Sequence, residues 1–479
     1  MKLARDSLLN LIGLGAPLLL ALVLMPQLVL GLGAERFGLL TLIWAVTSYF
    51  GLFDLGLSRA LTHRLAQVLE LEQHEDVGPL VTTALAMMAL MGLAGGLLMA
   101  LLAPWATEMI RQLTLPDEAV ASTIVMGLTL PFIVVTAGLR GMLEACHAFR
   151  ASNAIRLPMG LWTFAGPWLV MHLQGPGLMG ITLALAAGRV FGFVAHLLCA
   201  WHLLPQWHGR LVWQGRWVRP MLVSGGWLTL SNVVSPFMGY VDRFVIGATI
   251  SAAAVAAYAT PQELITKLWI IPGAMTAVLF PAFAAQVAGR AQEAWRLFRD
   301  SVELLFWALW PVTLGLCLFA RELLGAWISP AFALQSAPIL QLFCMGILIN
   351  CLAHVPLTWL QGRGAFRAPA LLHLVELPLF LALLWGLCSR WGLMGAAVAW
   401  LLRMVGDAAG MFWLAMRGSG ARPARQAALL ATALLPFFGA FYAGQDDNVP
   451  ARAVVWLTVL GLSARGFLQG LRRLRQEMT

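Results

Sequence analysis

Charge is what these 479 residues have least of: Asp, Glu, Lys and Arg together make up 11 %, against 60 % apolar side chains and a mean hydropathy of +0.81. So few charges cannot cover the surface of a water-soluble protein of this length, which excludes soluble enzymes and soluble binding modules. The period-two alternation of a membrane barrel is missing too, so the expected class is an all-α polytopic membrane protein. Cys146, Cys199, Cys317, Cys344, Cys351 and Cys388 have neither metal-ligand nor disulfide spacing and read as small apolar packing residues. There is no nucleotide-binding, metal-binding or nucleophile motif, so no cofactor and no metal are expected. No basic run with interleaved aromatics stands outside the apolar segments, which argues against nucleic acid as a partner. Lysine is nearly absent: only Lys2 and Lys267 accompany 29 arginines.

What is present in abundance is long apolar runs. A hydrocarbon core about 30 Å thick takes roughly 20 residues of helix. On that basis the chain holds fourteen expected spans, at 9–31, 38–62, 79–103, 120–143, 155–174, 177–203, 219–241, 253–282, 301–320, 335–359, 368–388, 392–416, 426–443 and 451–467. With the N-terminus in the cytoplasm, 22 basic residues fall on the cytoplasmic side and 6 on the other, while Arg189, Lys267 and Arg403 lie inside spans. This bias follows the positive-inside rule and puts both termini in the cytoplasm. The net charge of +9 is therefore membrane topology. The N-terminal apolar segment is too long for a signal peptide and reads as an uncleaved first span. The tail "RGFLQGLRRLRQEMT" reads as a strip on anionic lipid.

The chain also repeats itself. "GLMGITLALAAGRVFG" from Gly177 is answered by "GLMGAAVAWLLRMVG" from Gly392, and "LEACHAFRA" by "LQGRGAFRA", with the "AFRA" tetrapeptides 217 residues apart. Pro17 and Pro236 keep nearly the same offset. Spans one to six and seven to twelve are thus expected to be two copies of one six-helix unit. An even number of spans per copy makes the repeat parallel, with a pseudo-two-fold axis along the membrane normal. The expected domains are an N-lobe at 1–209, a C-lobe at 210–420, and a peripheral pair of helices with the basic tail at 421–479.

An ionisable side chain at bilayer depth costs about 2.5–3.5 kcal/mol or more, so it faces a wet cavity or a partner. Arg189 lies about 18 Å into span six, Arg403 about 17 Å into span twelve, and Lys267 about 21 Å into span eight. Two readings stand. In one, the charges are internal pairs, Asp407 with Arg403 and Glu376 with Lys267. In the other, three cations converge on an anionic substrate, with arginine suited to bidentate donation to phosphate. Arg189 has no acid within four residues on its helix, which pairing leaves unexplained. Asp54 and Arg59 in span two, Asp242 and Arg243 at the outer end of span seven, Glu376 and Asp407 are candidate gating or coupling residues. Arg59 can equally snorkel to the interface, Asp54 can cap a helix or pair with Arg59, and Asp242 with Arg243 can be a structural pair. His196, His354 and His373 read as packing or hydrogen-bonding residues, or as a proton relay.

"LGAERFGLLTLIWAVTSYFGLFDLGLSRALTHRLA" and "GYVDRFVIGATISAAAVAAYATPQEL" resemble spans one to two and seven to eight of bacterial oligosaccharide flippases, the Wzx or polysaccharide transport family. That family sits in the multidrug/oligosaccharidyl-lipid/polysaccharide exporter superfamily, beside multidrug-extrusion transporters and lipid II flippases. The resemblance implies two six-helix lobes around a central cationic cavity, in the bacterial inner membrane. It also implies turnover of an undecaprenyl-pyrophosphate-linked oligosaccharide to the outer leaflet, with Arg189, Lys267 and Arg403 matched by placement to the cavity role. Membrane lipids and polysaccharide polymerase or assembly proteins are the partners it suggests.

The runner-up is a multidrug or organic-cation antiporter, whose cavity is expected to be acidic or neutral. Its relatives resemble one another in an acid within span one, where this chain offers only Asn10 and Gln27. Lipid II flippases carry arginines in span one, and this chain has none there. A third class is the polytopic enzyme, such as a polysaccharide polymerase or ligase. Such enzymes use sizeable outer loops, and none here much exceeds about fifteen residues.

Overall fold

The computed structural model describes residues 2–52, 56–146, 148–207, 212–223, 226–285, 291–417, 437, 439 and 448–478. Among these residues every regular element is a helix. Hydrocarbon demands this, because it offers no partner to a backbone N–H or C=O left outside a helix or a closed barrel. Among the described residues eight helices are long and apolar enough to cross a membrane. The chain divides into two compact units, Met1–Ala256 and Ala257–Thr479.

The first unit contains α1 (Lys2–Leu52), α2 (Leu57–Glu70), α3 (His74–Glu108), α4 (Pro116–Ala145), α5 (Phe149–Gln174), α6 (Leu178–Leu203), α7 (Val218–Val223), α8 (Gly226–Thr249) and the first turn of α9 (Ala252–Thr266). α1 is a double rod. Gly33 adopts φ 75°, ψ 164°, a left-handed conformation that costs glycine nothing, and the chain changes direction there between the first and second expected spans. The second span was expected to run to residue 62, but α1 ends at Leu52. Arg59 falls on the separate helix α2, whose Leu57, Leu61, Leu65 and Val68 are buried at helical spacing.

α4 packs against α2, α3 and α6, and α5 against α1 and α6. The α3–α4 seam is built on glycine. A Cβ on Gly92 would meet Pro131 Cα at 2.5 Å, and one on Gly96 would meet the Gly127 carbonyl oxygen at 2.4 Å. Small residues of this kind let backbones approach in lipid, where dispersion contacts replace the hydrophobic drive. The other face of α3 presents Leu90, Leu93, Leu97 and Leu101, each more than half exposed, as a stripe for acyl chains. Polar ties hold the chain reversals: Arg36 to Glu118 at 3.1 Å, Thr114 N and Oγ1 both donating to Glu35 at 2.7 Å, and Glu118 capping the start of α6 at Leu178 N.

The second unit contains the rest of α9, a 3₁₀ turn at Lys267–Trp269, α10 (Ile270–Ala285), α11 (Ala291–Leu318), α12 (Ala320–Trp327), α13 (Pro330–Gly362), α14 (Arg367–Met416) and α15 (Val449–Met478). α13 packs against α10, α11, α12 and α14, and most of its length is buried. α14 is the second double rod, broken at Gly392 with φ 58°, ψ −137°. The two "GLMG" phrases thus do the same local work. Gly177 is the N-cap of α6, preceded by Gly175 at φ 90°, and Gly392 starts the second leg of α14. α15 is fastened to α11 by Trp456 Nε1 donating to the Pro311 carbonyl at 2.9 Å and by Arg473 to Glu303 at 3.3 Å. Arg452 reaches Glu322 on α12 at 3.2 Å and the Leu318 carbonyl at 2.8 Å. The expected span at 426–443 lies outside the described residues, apart from single helical positions at 437 and 439.

Candidate functional site

Arg189 sits midway along α6 and lines a cavity of about 330 Å³ in the first unit. Arg140, near the end of α4, and Arg156, near the start of α5, line the same cavity, as do His196, Thr47, Thr136 and Thr163. Arg140 is exposed, whereas Arg156 and Arg189 are half-buried. The ion pair here is Arg140 to Glu144, one turn along α4, at 3.8 Å. Among the described residues Arg156 and Arg189 make no hydrogen bond or ion pair.

The threonine hydroxyls spend their protons inside their own helices. Thr136 Oγ1 donates to the Phe132 carbonyl at 2.6 Å, and Thr163 and Thr47 donate to Met159 and Ile43 at 3.0 Å. His196 Nδ1 donates to the Gly192 carbonyl at 2.8 Å, and its buried Nε2 has no hydrogen bond among the described residues. The guanidinium groups are therefore the cavity's available donors. In the sequence Arg140 and Arg156 count among the 22 basic residues of the cytoplasmic side, and nothing in their spacing shows this convergence. The signal available was their position within about a turn of the ends of expected spans four and five, where an arginine reaches inward as readily as outward.

The other buried charges gather in the second unit. Asn350 of α13 bridges two elements: Trp269 Nε1 donates to its Oδ1 at 2.9 Å, and its Nδ2 donates to Asp407 at 3.1 Å. Asp407 also lies 3.4 Å from His373 Nε2. Glu376 completes the group, its donor atoms with those of His373 and Asp407 falling within 4.8 Å of one another. Both Glu376 oxygens are buried without a hydrogen bond among the described residues. Arg403 lies over the Phe380 ring at 5.4 Å and within electrostatic reach of Glu376. A resident arginine beside two carboxylates supplies the positive charge that a metal would otherwise bring.

Lys267 is apart from this group. Its Nζ pairs with Glu263 Oε2 at 3.0 Å, one turn back along the chain, and Glu376 is not its partner. Asp242 and Arg243 are both buried, at 0 % and 2 % exposure. Arg243 Nη1 donates to the Thr41 carbonyl at 3.4 Å, and its guanidinium lies 5.4 Å from the Tyr240 ring, which ties α8 to α1. Asp54 is outside the described residues, and so is the side chain of Arg59.

Comparison with known proteins gives a consistent frame. The family model described as "Polysaccharide biosynthesis protein" matches residues 32–337, well over half of the chain. A Shigella flexneri protein named "Putative O-antigen transporter" is 27 % identical over 420 residues, covering 87 % of this chain and 98 % of that protein. Among solved structures, an inward-facing multidrug resistance MATE family transporter of the MOP superfamily superposes with a TM-score of 0.72 at 16 % identity, covering 88 % of this chain and 99 % of that one. The lipid II flippase MurJ in an inward closed conformation gives 0.69 at 11 % identity over 98 % of this chain and 99 % of that one. At these identities the likeness is one of fold.

Proposed function

Because the chain belongs to the polysaccharide biosynthesis protein family, multi-pass membrane transporters of the MOP superfamily and not enzymes, we propose that it flips a lipid-linked oligosaccharide. The substrate on this reading is an undecaprenyl-pyrophosphate-linked O-antigen or exopolysaccharide repeat unit, moved across the bacterial inner membrane by alternating access through a cationic cavity. A doubly charged pyrophosphate with sugars attached cannot cross about 30 Å of hydrocarbon unaided. A wet, cation-lined passage lowers that barrier while the polyprenyl tail remains in lipid.

The observation that carries this reading is the sign of the charge at depth: Arg189, with Arg140 and Arg156, lines the first unit's cavity with a single carboxylate paired nearby. An antiporter for organic cations shares the fold, but such a cavity repels its substrate. Arg189, Lys267 and Arg403 are the proposed cavity cations, and Glu376 and Asp407 the proposed coupling residues. For Asp242 and Arg243 the buried tie to α1 supports a structural role. The sequence repeat supports fourteen spans, as two parallel six-helix lobes at 1–209 and 210–420 with 421–479 appended.

Deleting the gene tests the function. Its loss is expected to remove the surface polysaccharide and to accumulate the lipid-linked repeat unit in the inner leaflet; unchanged polysaccharide with no accumulation rejects the proposal. A reporter domain fused after Thr479 is expected to read cytoplasmic, and a periplasmic signal would mean that the span count is odd.

A further inference from the structure

We propose that the pocket where α2, α4 and α6 end binds the ammonium group of an aminophospholipid, a membrane lipid whose headgroup carries a primary amine. This recess is separate from the arginine-lined cavity, its ligand has the opposite charge, and the proposal does not depend on what the chain transports.

α2 stops at Glu70, α4 at Ala145 and α6 at Leu203, and these ends meet around a pocket of about 570 Å³. Leu69, Leu203 and Leu204 give it apolar walls, and Glu70, Cys146 and Gln206 are its polar groups. Expected spans four and six end at 143 and 203, which sets the pocket at headgroup depth on the side where the basic residues concentrate. Its volume has room for an ethanolamine group with bound water.

The lining selects a cation. Among the described residues no Lys or Arg lines the pocket, and Glu70 makes no hydrogen bond or ion pair. Gln206 Oε1 is buried without a hydrogen bond among the described residues. A buried carbonyl oxygen left unpaired is costly, and an entering N–H donor removes that cost. The last carbonyls of the three helices add partial negative charge. A primary ammonium brings one positive charge and three N–H donors, whereas a quaternary ammonium brings the charge alone.

Gln206 is held where it can accept. It lies in the 3₁₀ turn Pro205–Trp207, and Trp207, only 4 % exposed, pins that turn. Trp207 Nε1 donates to Thr82 Oγ1 at 3.3 Å, and its ring meets Trp201 edge-on at 5.3 Å between centroids.

The surroundings point to lipid as the source of the amine. α6 exposes Phe191, Val194, Leu198 and Trp201 at helical spacing, a stripe for an acyl chain. The stripe leads along the helix to Leu203 in the pocket wall, so a lipid lying on α6 brings its headgroup to the opening. Trp201 marks the depth at which tryptophan favours the membrane interface.

The first test leaves the pocket unaltered. In the full-length chain carrying Cys199→Ala, half-buried Cys146 is the accessible thiol, because Cys317, Cys344, Cys351 and Cys388 are buried. Burial raises the Cys146 thiol above its ordinary pKa, so labelling with methyl methanethiosulfonate is run in alkaline buffer. Labelling is expected to be about fivefold slower in nanodiscs half phosphatidylethanolamine than in phosphatidylcholine alone, as for a site roughly four-fifths occupied. Phosphatidylglycerol in the same proportion is expected to give no protection. Equal rates in all three lipids, or equal protection by phosphatidylglycerol, would overturn the site. Free ethanolamine protecting as well as the lipid would reassign the pocket to a soluble amine and overturn the lipid assignment.

The second test assigns the residues, with lipid retained by the purified chain counted by native mass spectrometry. Gln206→Met is expected to lower retention of phosphatidylethanolamine about tenfold, and exposed Glu70→Gln about threefold, since exposed ion pairs are weaker. Gln206→Glu is expected to retain at least as much as the parent. Glu72→Gln, on the same chain reversal but outside the pocket, is the control and is expected to match the parent. Retention by Gln206→Met within about twofold of the parent would overturn the assignment of Gln206 as the acceptor.

Discussion

Cells whose only copy of this chain carries Arg189→Ala together with Arg403→Ala are expected to stop exporting surface polysaccharide while keeping the protein in the membrane at parental levels. Insertion should survive because removing a charge from bilayer depth lowers the cost of placing that helix in lipid, by about 2.5–3.5 kcal/mol on insertion scales. Transport should not survive. A hydrogen bond from a charged donor contributes on the order of 1.5–3 kcal/mol. Losing one from each unit of the chain therefore slows turnover by roughly 10² to 10⁴.

The single variants divide the effect. Arg189 lines a cavity, so Arg189→Ala removes a donor and leaves its surroundings in place. Arg403 stands beside Glu376 and near Asp407, so Arg403→Ala also strips the local counter-charge from a buried carboxyl. Arg403→Lys is expected to keep the counter-charge but to recover transport only in part, because it returns the charge without the planar fork. Normal export from the double variant, measured as polysaccharide per cell at matched protein levels, would rule out both residues as substrate contacts.

The largest stability effect is expected at Gly38. A Cβ there would sit 1.8 Å from the carbonyl oxygen of Ala252 and 2.6 Å from its carbonyl carbon. These are backbone atoms at the start of α9, and they cannot rotate aside as a long side chain can. Overpacking costs about 1–3 kcal/mol in ordinary cores and more where backbone must move, so Gly38→Ala belongs at or above the top of that range. Gly15→Ala in the same helix is the control, since nothing lies within 4 Å of its Cβ. There the substitution is expected to be neutral or stabilising, because alanine favours helix over glycine by about 1 kcal/mol. The comparison is read as the unfolding midpoint of the purified proteins in detergent. Equal midpoints for the two variants would mean that α1 and α9 do not meet at this contact.

Much of the architecture follows from residues that can be read in order. The apolar runs require helices because lipid leaves the backbone no other partner, and the reversals at Gly33 and Gly392 fall between runs that composition alone separates. The repeated "GLMG" is legible as a recurrent helix start, but the left-handed turn falls on Gly175, two residues before the first phrase, and on Gly392 itself in the second. Buried charge was legible as well. Arg189, Arg403, Glu376 and Asp407 stand out against an apolar background, and a charge in lipid is costly wherever its partner lies.

Partnership was not legible, because it depends on distances between helices that sequence spacing does not encode. Lys267 finds Glu263 one turn away, while Asp407 draws on Asn350 and His373, which stand on α13 and the far leg of α14. Arg140 and Arg156 looked like ordinary topology markers at the ends of spans four and five. Only the packing of α4, α5 and α6 brings them to the same cavity as Arg189. The sequence by itself determined a helical membrane protein with positive charge placed at depth, because hydropathy and the cost of burying ions act on each segment alone. Which cations face one another was decided by tertiary structure, since close helix packing at glycine-rich seams sets the angles at which those side chains converge.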